Sequence, residues 1–357
     1  MSTQPTQLPQ PPYRVDGKQK VTGTAKYAAE FPVENLAYAV MVVSSIPNGQ
    51  ISSIDTARAE RASGVLAVIT PSNALKLPAG GKAAINPPGG RTLSLLQEDL
   101  VHYNGQPIAV VVARTLEEAQ EGSRLLQVHY KEEPARLDIQ KYLSESHPPK
   151  GGREPARQER GDIDGALARA EVKVEETYTT PVQNHNPMEP HATIAEWTGD
   201  KLSLYDATQY ISGVKQTIAK TYGIPVDDVR VQCPFTGGGF GSKGSMWSHV
   251  ALATMAAKMV NRPVKLVVGR EQMFGPVGTR PLTIQKVTLA ATKDGHLTAQ
   301  RHEVVCHGSV MEDFLEPSAN QTRMLYDSDA NLTSAAIVSL NLGVATFQRA
   351  PGEATGT

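Results

Sequence analysis

Apolar positions in this chain fall in short continuous runs, separated by polar stretches rich in glycine and proline. Residues 36–44 (LAYAVMVVS) predict a buried strand, followed by a turn at Pro47-Asn48-Gly49. Residues 54–62 predict a short helix, which Gly64 stops ahead of a strand over 65–70. Pro107–Ala113 (PIAVVVA) has no polar position, as expected of a strand covered on both faces. Residues 115–127 are the clearest helix of the first part. Thr115 and Glu118 form a capping box there, each side chain satisfying a free N–H of the first turn. A strand over 126–130 overlaps or follows its end, and this strand–helix–strand order predicts a compact α/β domain ending near residue 140.

Residues 145–160 are polar and rich in Pro and Gly, which sets a linker at 141–165 ahead of a second region over 166–357. That region opens with strands at 170–178, 192–197 and 202–207. A helix over Ile211–Tyr222 follows, with Ile211, Val214, Ile218 and Tyr222 on one face, and Gly223 and Pro225 stop it. Strands at 229–233 and 264–268 flank a helical run at 245–261, and 282–292 with 297–307 form a hairpin around Asp294-Gly295. Residues 1–13 read as a loose arm, 14–30 as a polar wrapping segment and 78–91 as a Pro/Gly-dense loop.

Candidate chemistry concentrates at 231–243, VQCPFTGGGFGSK, between a strand and a helical run. Gly237, Gly238, Gly239 and Gly241 let the backbone adopt positive φ and approach a ligand closely. A glycine turn feeding a helix N-terminus would point free N–H groups and the helix dipole at an anion, and Lys243 would add a mobile positive charge. The plainer reading is a flexible turn. The spacing matches neither a nucleotide P-loop nor GxGxxG.

The other residues narrow the field. A length of 357 residues is enough for two domains with their own cores. Lys+Arg 35 against Asp+Glu 36, with no basic run and aromatics at 5%, argues against nucleic acid as partner. Cys233 and Cys306 are too far apart for a zinc or iron–sulfur motif and read as small buried residues. His185 and His191 read as loop histidines and Asp227-Asp228 as a solvated turn, so no metal ligand is nominated among the side chains. Neither an apolar leader nor an eighteen-residue apolar run occurs, so a cytoplasmic protein without a membrane span is expected, co-export with a partner remaining open.

An ordered set of motifs carries a resemblance. These are RVDGKQKVTGTAKYAAE (14–30), IDTARAERASGVLAVIT (54–70) and YNGQPIAVVVARTLEEA (103–119), then QNHNPMEPHATIAEW (183–197) and ATQ (207–209). GGGFGSK (237–243), NRPVKLVVGREQM (261–273), KDGHLTA (293–299) and QRAPGEA (348–354) complete it. The chain resembles the molybdenum-binding subunit of the xanthine dehydrogenase/aldehyde oxidase family, N-terminal half only. The resemblance implies an α+β fold: a hammerhead-type α/β domain at 14–140, then the first part of a mixed α+β molybdopterin-binding domain.

It also implies a molybdopterin cofactor with molybdenum, in the cytosine dinucleotide form expected of bacteria-like members, the metal being held by pterin sulfurs. The implied reaction is hydroxylation of aldehydes or N-heteroaromatic compounds with water as oxygen source, electrons passing to an iron–sulfur subunit and an FAD subunit. Gly238, Gly239, Phe240 and Gly241 match the loop packed on the pterin, and Gln209 matches a glutamine donating near the metal centre. Glu189 matches an acid facing substrate in some members, or else holds a loop through backbone N–H groups. Arg349 matches an arginine near the substrate pocket. Family subunits continue into a second half that supplies the general base, and no carboxylate here matches that motif. The expectation is therefore a chain inactive alone, leaving an apolar face uncovered and needing the missing half as a continuation or separate chain. The alternative is a non-catalytic cofactor-binding or assembly module.

Overall fold

A computed structural model of the protein describes residues 14–85, 90–150 and 155–357. The arm expected at 1–13 lies outside the described residues, as do 86–89 and 151–154. At the centre is a seven-stranded mixed sheet. Its order is Val229–Gln232, Lys201–Asp206, Ala192–Thr198, Val264–Val267, Ala37–Val43, Pro107–Ala113, Val65–Ile69. Ala37–Val43 joins its two parts, running antiparallel to Pro107–Ala113 and parallel to Val264–Val267, with Ala37 opposite Val264 and Ala39 opposite Leu266. Strands from both sides of the expected linker thus share one sheet.

Burial explains why these residues form these elements. Pro107–Ala113 is buried at every position, as its uniform apolar run predicts. Alternation along the strand sends Val111 toward Ala59, Val68 and Leu125, and Val110 and Val112 into the main core. That core is closed by the helix Ser248–Val260, whose first ten residues are all buried because its sequence is apolar on every side and Lys258 is its one charged residue. Each fully buried Leu, Val or Met there contributes about 1.5–3 kcal/mol. The predicted capping box is present: Glu118 N donates to Thr115 Oγ1 at 3.2 Å, and Thr115 N donates to Glu118 Oε2 at 3.1 Å. Ile211–Tyr222 is helical and ends at Gly223 in the left-handed region (φ 66).

A second sheet holds Arg157–Arg160, Ala330–Leu340, Leu297–Ser309, Thr283–Ala291 and Val172–Thr180, and contains the expected hairpin. A small third sheet holds Leu100–Val101, Gly49–Asp55 and Gln127–Glu132. Four strands, Gly49–Asp55, Leu100–Val101, Arg157–Arg160 and Ala330–Leu340, lie outside the elements that the hydrophobic pattern predicts. The first takes the start of the helix expected at 54–62, leaving only Ala57–Glu60 helical. Its Ile51 and Ile54 pack with Ile46, Val101, Ile108 and Val128, and this long-range burial overrides the local pattern. Ala330–Leu340 is Ala- and Ser-rich, and its order comes from eleven residues of parallel pairing with Leu297–Ser309. Within 141–165, Arg157–Arg160 pairs with Ala330–Leu340, and Ile163–Ala168 starts a short helix capped by Asp162. No helix of the described residues is long and apolar enough to cross a membrane.

Candidate functional site

Lys201–Asp206 and Val229–Gln232 are parallel neighbours in the large sheet, and both run out at the same end. Gln209 follows the first and the glycine loop follows the second, so both leave from carboxyl ends of strands, where crevices for ligands form in such sheets. The segments 183–191 and 347–352 close on them. His185 Nε2 lies 2.9 Å from the Phe347 carbonyl oxygen, and Arg349 N–H donates to Phe240 O at 2.8 Å. Non-glycine residues rarely take positive φ, yet each converging loop has one: Asn186 (43°), Phe240 (54°) and Ala350 (54°). Such strain persists only where surrounding contacts over-determine it, and it gathers at functional sites.

The glycine loop is shaped by contacts from different directions. Gln209 Oε1 accepts the Gly241 N–H at 3.0 Å, and a Cβ on Gly239 would stand 2.3 Å from that same oxygen. A Cβ on Gly241 would meet the Phe347 carbonyl at 2.3 Å, and its φ of 111° belongs to glycine alone. Among the described residues, the N–H groups of Gly238, Gly239 and Phe240 make no hydrogen bond, and neither does the exposed amide Nε2 of Gln209. Buried backbone donors are normally paired; Gly239 is buried, Gly238 half-buried and Phe240 exposed, so these N–H groups line an opening that an acceptor from outside the chain could reach.

Two expectations about this loop are corrected. The loop does not feed the long helix: Ser242–Gly244 form a 3-10 turn, and the helix begins only at Ser248, past an extended stretch. The free N–H groups of the loop therefore do not belong to the first turn of that helix. Lys243 is no mobile charge either. Its side chain is fully buried, with Nζ 2.7 Å from Glu189 Oε2 and 3.0 Å from Glu189 O. Burial pushes its ammonium below the usual lysine range, with the Glu189 carboxylate opposing that shift.

Glu189 Oε2 also accepts the Gly237 N–H at 2.7 Å, and Glu189 N donates to Gly237 O at 3.0 Å. Its Oε2 thus holds the loop, as in the second of its two readings, while its Oε1 is buried with no hydrogen-bond partner. Through its carbonyl, Lys243 accepts from Gln209 N at 2.8 Å and Thr208 Oγ1 at 3.1 Å, so one buried lysine ties Glu189, the glycine loop and Gln209 together. Gly238, Gly239, Phe240, Gly241, Gln209, Glu189 and Arg349 all meet at this end of the sheet. Phe240 and the Arg349 side chain are exposed.

Sequence reasoning missed Asp206 and His249, which lie beneath, and read His191 only as a loop histidine. Asp206, His249 and His191 are buried under Lys243, His249 Nε2 standing 4.0 Å from Asp206 Oδ1 and the two imidazoles meeting edge to face. Burial pushes the Asp206 carboxyl up to about 7 against the opposing hydrogen bond from Thr193, and pushes His249 down to about 3. Arg280 and Glu316, both buried, were missed as well. A TRP tripeptide and a lone glutamate in a loop give no local signal.

The geometry defines a class: a cradle of consecutive free amides and one neutral side-chain amide, fitted to an oxygen-rich, anionic cofactor. A bulky or β-substituted residue at Gly239 or Gly241 would fill it. Residues 22–134 match the family model "Aldehyde oxidase and xanthine dehydrogenase, a/b hammerhead domain". Residues 146–357 match "Molybdopterin cofactor-binding domain". The chain belongs to the aldehyde oxidase/xanthine dehydrogenase family of molybdopterin-binding subunits.

It is 39% identical over 346 residues to the aldehyde oxidoreductase molybdenum-binding subunit PaoC of Escherichia coli (strain K12), covering 96% of this chain and 46% of that one. It is 32% identical to the nicotinate dehydrogenase large molybdopterin subunit of Eubacterium barkeri, covering 82% of this chain and 68% of that one. The chain thus spans about half the length of the first relative and two thirds of the second. Quinoline 2-oxidoreductase from Pseudomonas putida 86 superposes with a TM-score of 0.81 at 23% identity, covering 95% of this chain and 45% of that one. Aldehyde oxidoreductase from Desulfovibrio gigas gives 0.78 at 24%, covering 95% and 39%. These two share the α+β fold expected from the sequence.

Proposed function

We propose that this chain is the N-terminal part of a molybdenum hydroxylase subunit, with residues 14–140 as its hammerhead domain and 166–357 as the first part of its cofactor-binding domain. Its substrates are aldehydes or N-heteroaromatic compounds, oxidised with water as oxygen source. Electrons leave to partner subunits carrying iron–sulfur clusters and FAD. Molybdopterin, in its cytosine dinucleotide form, supplies the redox and oxygen-transfer chemistry when bound.

The chain's own residues bind and orient that group. The free N–H groups of Gly238, Gly239 and Phe240 donate to its oxygen-bearing parts. Gln209, whose Oε1 is fixed by Gly241 N–H, presents its Nε2 as a donor that carries no charge. Phe240, in a left-handed conformation and half out in solvent, offers an aromatic wall. Arg349, held by its N–H to Phe240 O, brings a guanidinium to the rim, where developing negative charge is stabilised. Glu189 fixes the loop through Oε2, which serves both Lys243 and Gly237, while its other oxygen, Oε1, is buried with no hydrogen-bond partner. The observation that carries this reading is the run of three unpaired amides in a loop where a Cβ on Gly239 or Gly241 would clash with its neighbours.

The test is molybdenum content by elemental mass spectrometry, with pterin release by fluorescence, after expression in a host that makes the cofactor. The chain is measured alone and with the rest of the subunit co-expressed. Near-stoichiometric metal is expected in the co-expressed form, falling at least about tenfold in Gly239→Val, for a loss of about 1.4 kcal/mol or more of binding. Metal-free protein in both preparations would overturn the reading.

A further inference from the structure

The turn carrying Arg349 is held by two buried charges that the cofactor site does not use. Arg280 is 4% exposed and Glu316 0%, with Arg280 Nε 3.4 Å from Glu316 Oε1. Arg280 Nη2 lies among the carbonyl oxygens of three successive residues, Gln348 at 3.0 Å, Arg349 at 2.5 Å and Ala350 at 3.3 Å, its two hydrogens shared among them. Its other nitrogen donates to Gln183 Oε1 at 3.1 Å, and its backbone exchanges hydrogen bonds with Gln183 in both directions. Glu316 grips the far side of the same turn: Oε1 accepts the Gly352 N–H at 2.8 Å and the Thr355 hydroxyl at 3.2 Å. Ala350 at φ 54 and Gly352 at φ 83 lie within that grip, a conformation the turn would not hold unaided. Burying two charges is costly unless they are well paired; Arg280 Nε and Glu316 Oε2 make no hydrogen bond, and four of the hydrogen bonds the pair does make converge on the 348–352 turn.

We propose that Arg280 and Glu316 are positioning residues, a buried clasp that seats the 348–352 turn on the glycine loop and thereby places Arg349 at the cradle. Arg280 holds the carbonyls, Glu316 holds an N–H, and the Arg349 N–H is left to bond Phe240 O. The inference rests on the proposed cofactor site only for what Arg349 does once placed.

The experiment uses the assembled, full-length enzyme with Arg280→Gln, Glu316→Gln, Arg349→Gln and the Arg280→Gln/Arg349→Gln double variant. Hydrogen exchange of the peptide spanning 347–353 should quicken about tenfold or more in Arg280→Gln and Glu316→Gln, while the strand Leu297–Ser309 keeps its protection. Unchanged exchange at 347–353, or equal loss throughout the sheet, overturns the clasp. Turnover supplies the second readout. Arg280→Gln should lower kcat as far as Arg349→Gln does, and the double variant should be no worse than either. Multiplying losses would show that Arg280 acts independently and would refute positioning. An active Arg349→Gln would remove the role given to Arg349, and the clasp would then be decided by exchange alone. If Arg280→Gln does not fold, Arg280→Lys, which keeps the cation but not the fork, carries the same comparison with a smaller gain in exchange.

Discussion

Lys243→Met removes the ammonium buried beneath the cradle while keeping an unbranched apolar stem of similar length. In the wild type Nζ lies 2.7 Å from Glu189 Oε2 and 3.0 Å from Glu189 O, and the two side chains are 0% and 10% exposed. Solvent screening is therefore slight. A hydrogen bond to a charged group contributes about 1.5–3 kcal/mol. Breaking one partner of a buried pair costs about 3–5 kcal/mol, because the remaining charge is stranded. Here Glu189 would keep only the Gly237 N–H. A loss of about 3–5 kcal/mol is expected for Lys243→Met. The assay is urea unfolding followed by tryptophan fluorescence. Trp247 is a local reporter, since its Nε1 donates to Ser242 O at 2.6 Å, one residue from the substitution. Removing both charges, in Lys243→Met with Glu189→Met, should recover most of the loss, leaving about 1 kcal/mol for the orphaned Gly237 N–H. A Lys243→Met cost below about 1 kcal/mol, with no recovery in the double variant, would show a solvated pair and refute the reasoning.

Two further outcomes follow from the same site. The Asp206 carboxyl is pushed up to about 7 by burial, so its neutral form stabilises the fold fully below the ordinary carboxylate range, and that stabilisation is lost as pH rises through about 7. Thr193, Lys243, Glu189 and His249 are the polar and charged groups around it. Asp206 alone contributes a fall in stability between about pH 4 and 7, by up to about 1.4 kcal/mol for each pH unit, while His249, pushed down to about 3 by burial, contributes an opposing rise in the same window. Asp206→Asn should therefore make stability rise more steeply with pH than in the wild type; an identical slope in the variant counts against it. Gly241→Ala meets both a φ of 111° and a carbonyl 2.3 Å from the new Cβ, whereas Gly23→Ala, at φ 70°, has open space. Thermal denaturation should show Gly241→Ala costing about 2–3 kcal/mol and Gly23→Ala about 1 kcal/mol, and equal effects would mean that the approach of Phe347 is not what demands glycine.

Legibility in the sequence followed locality. Pro107–Ala113 and the Thr115–Glu118 cap could be read because a strand buried on both faces and a helix start each have a signature a few residues long. The glycine loop could be read for the same reason, and so could its match to Gln209 and Arg349 through an ordered series of motifs. What stayed hidden depends on partners distant in sequence. Ala330–Leu340 is a strand because Leu297–Ser309 lies beside it, and nothing in its Ala/Ser pattern says so. Lysine is seldom fully buried, so Lys243 reads as a solvent charge in the sequence, whereas Glu189 lies against it in the fold. The Arg280–Glu316 pair joins residues with no common motif, and the turn it holds bears on the cradle only in three dimensions.

The parallel pairing of Ala37–Val43 with Val264–Val267 has a consequence for how the chain is made. The first strand leaves the ribosome more than two hundred residues ahead of its neighbour. At roughly 5–20 residues per second, its open edge waits on the order of 10–45 s for a partner. Pro107–Ala113 can cover the opposite edge early, but the side destined for Val264 stays available to any extended segment nearby. Chaperone dependence during synthesis, and aggregation when translation is interrupted between these two strands, are built into the order of this sheet.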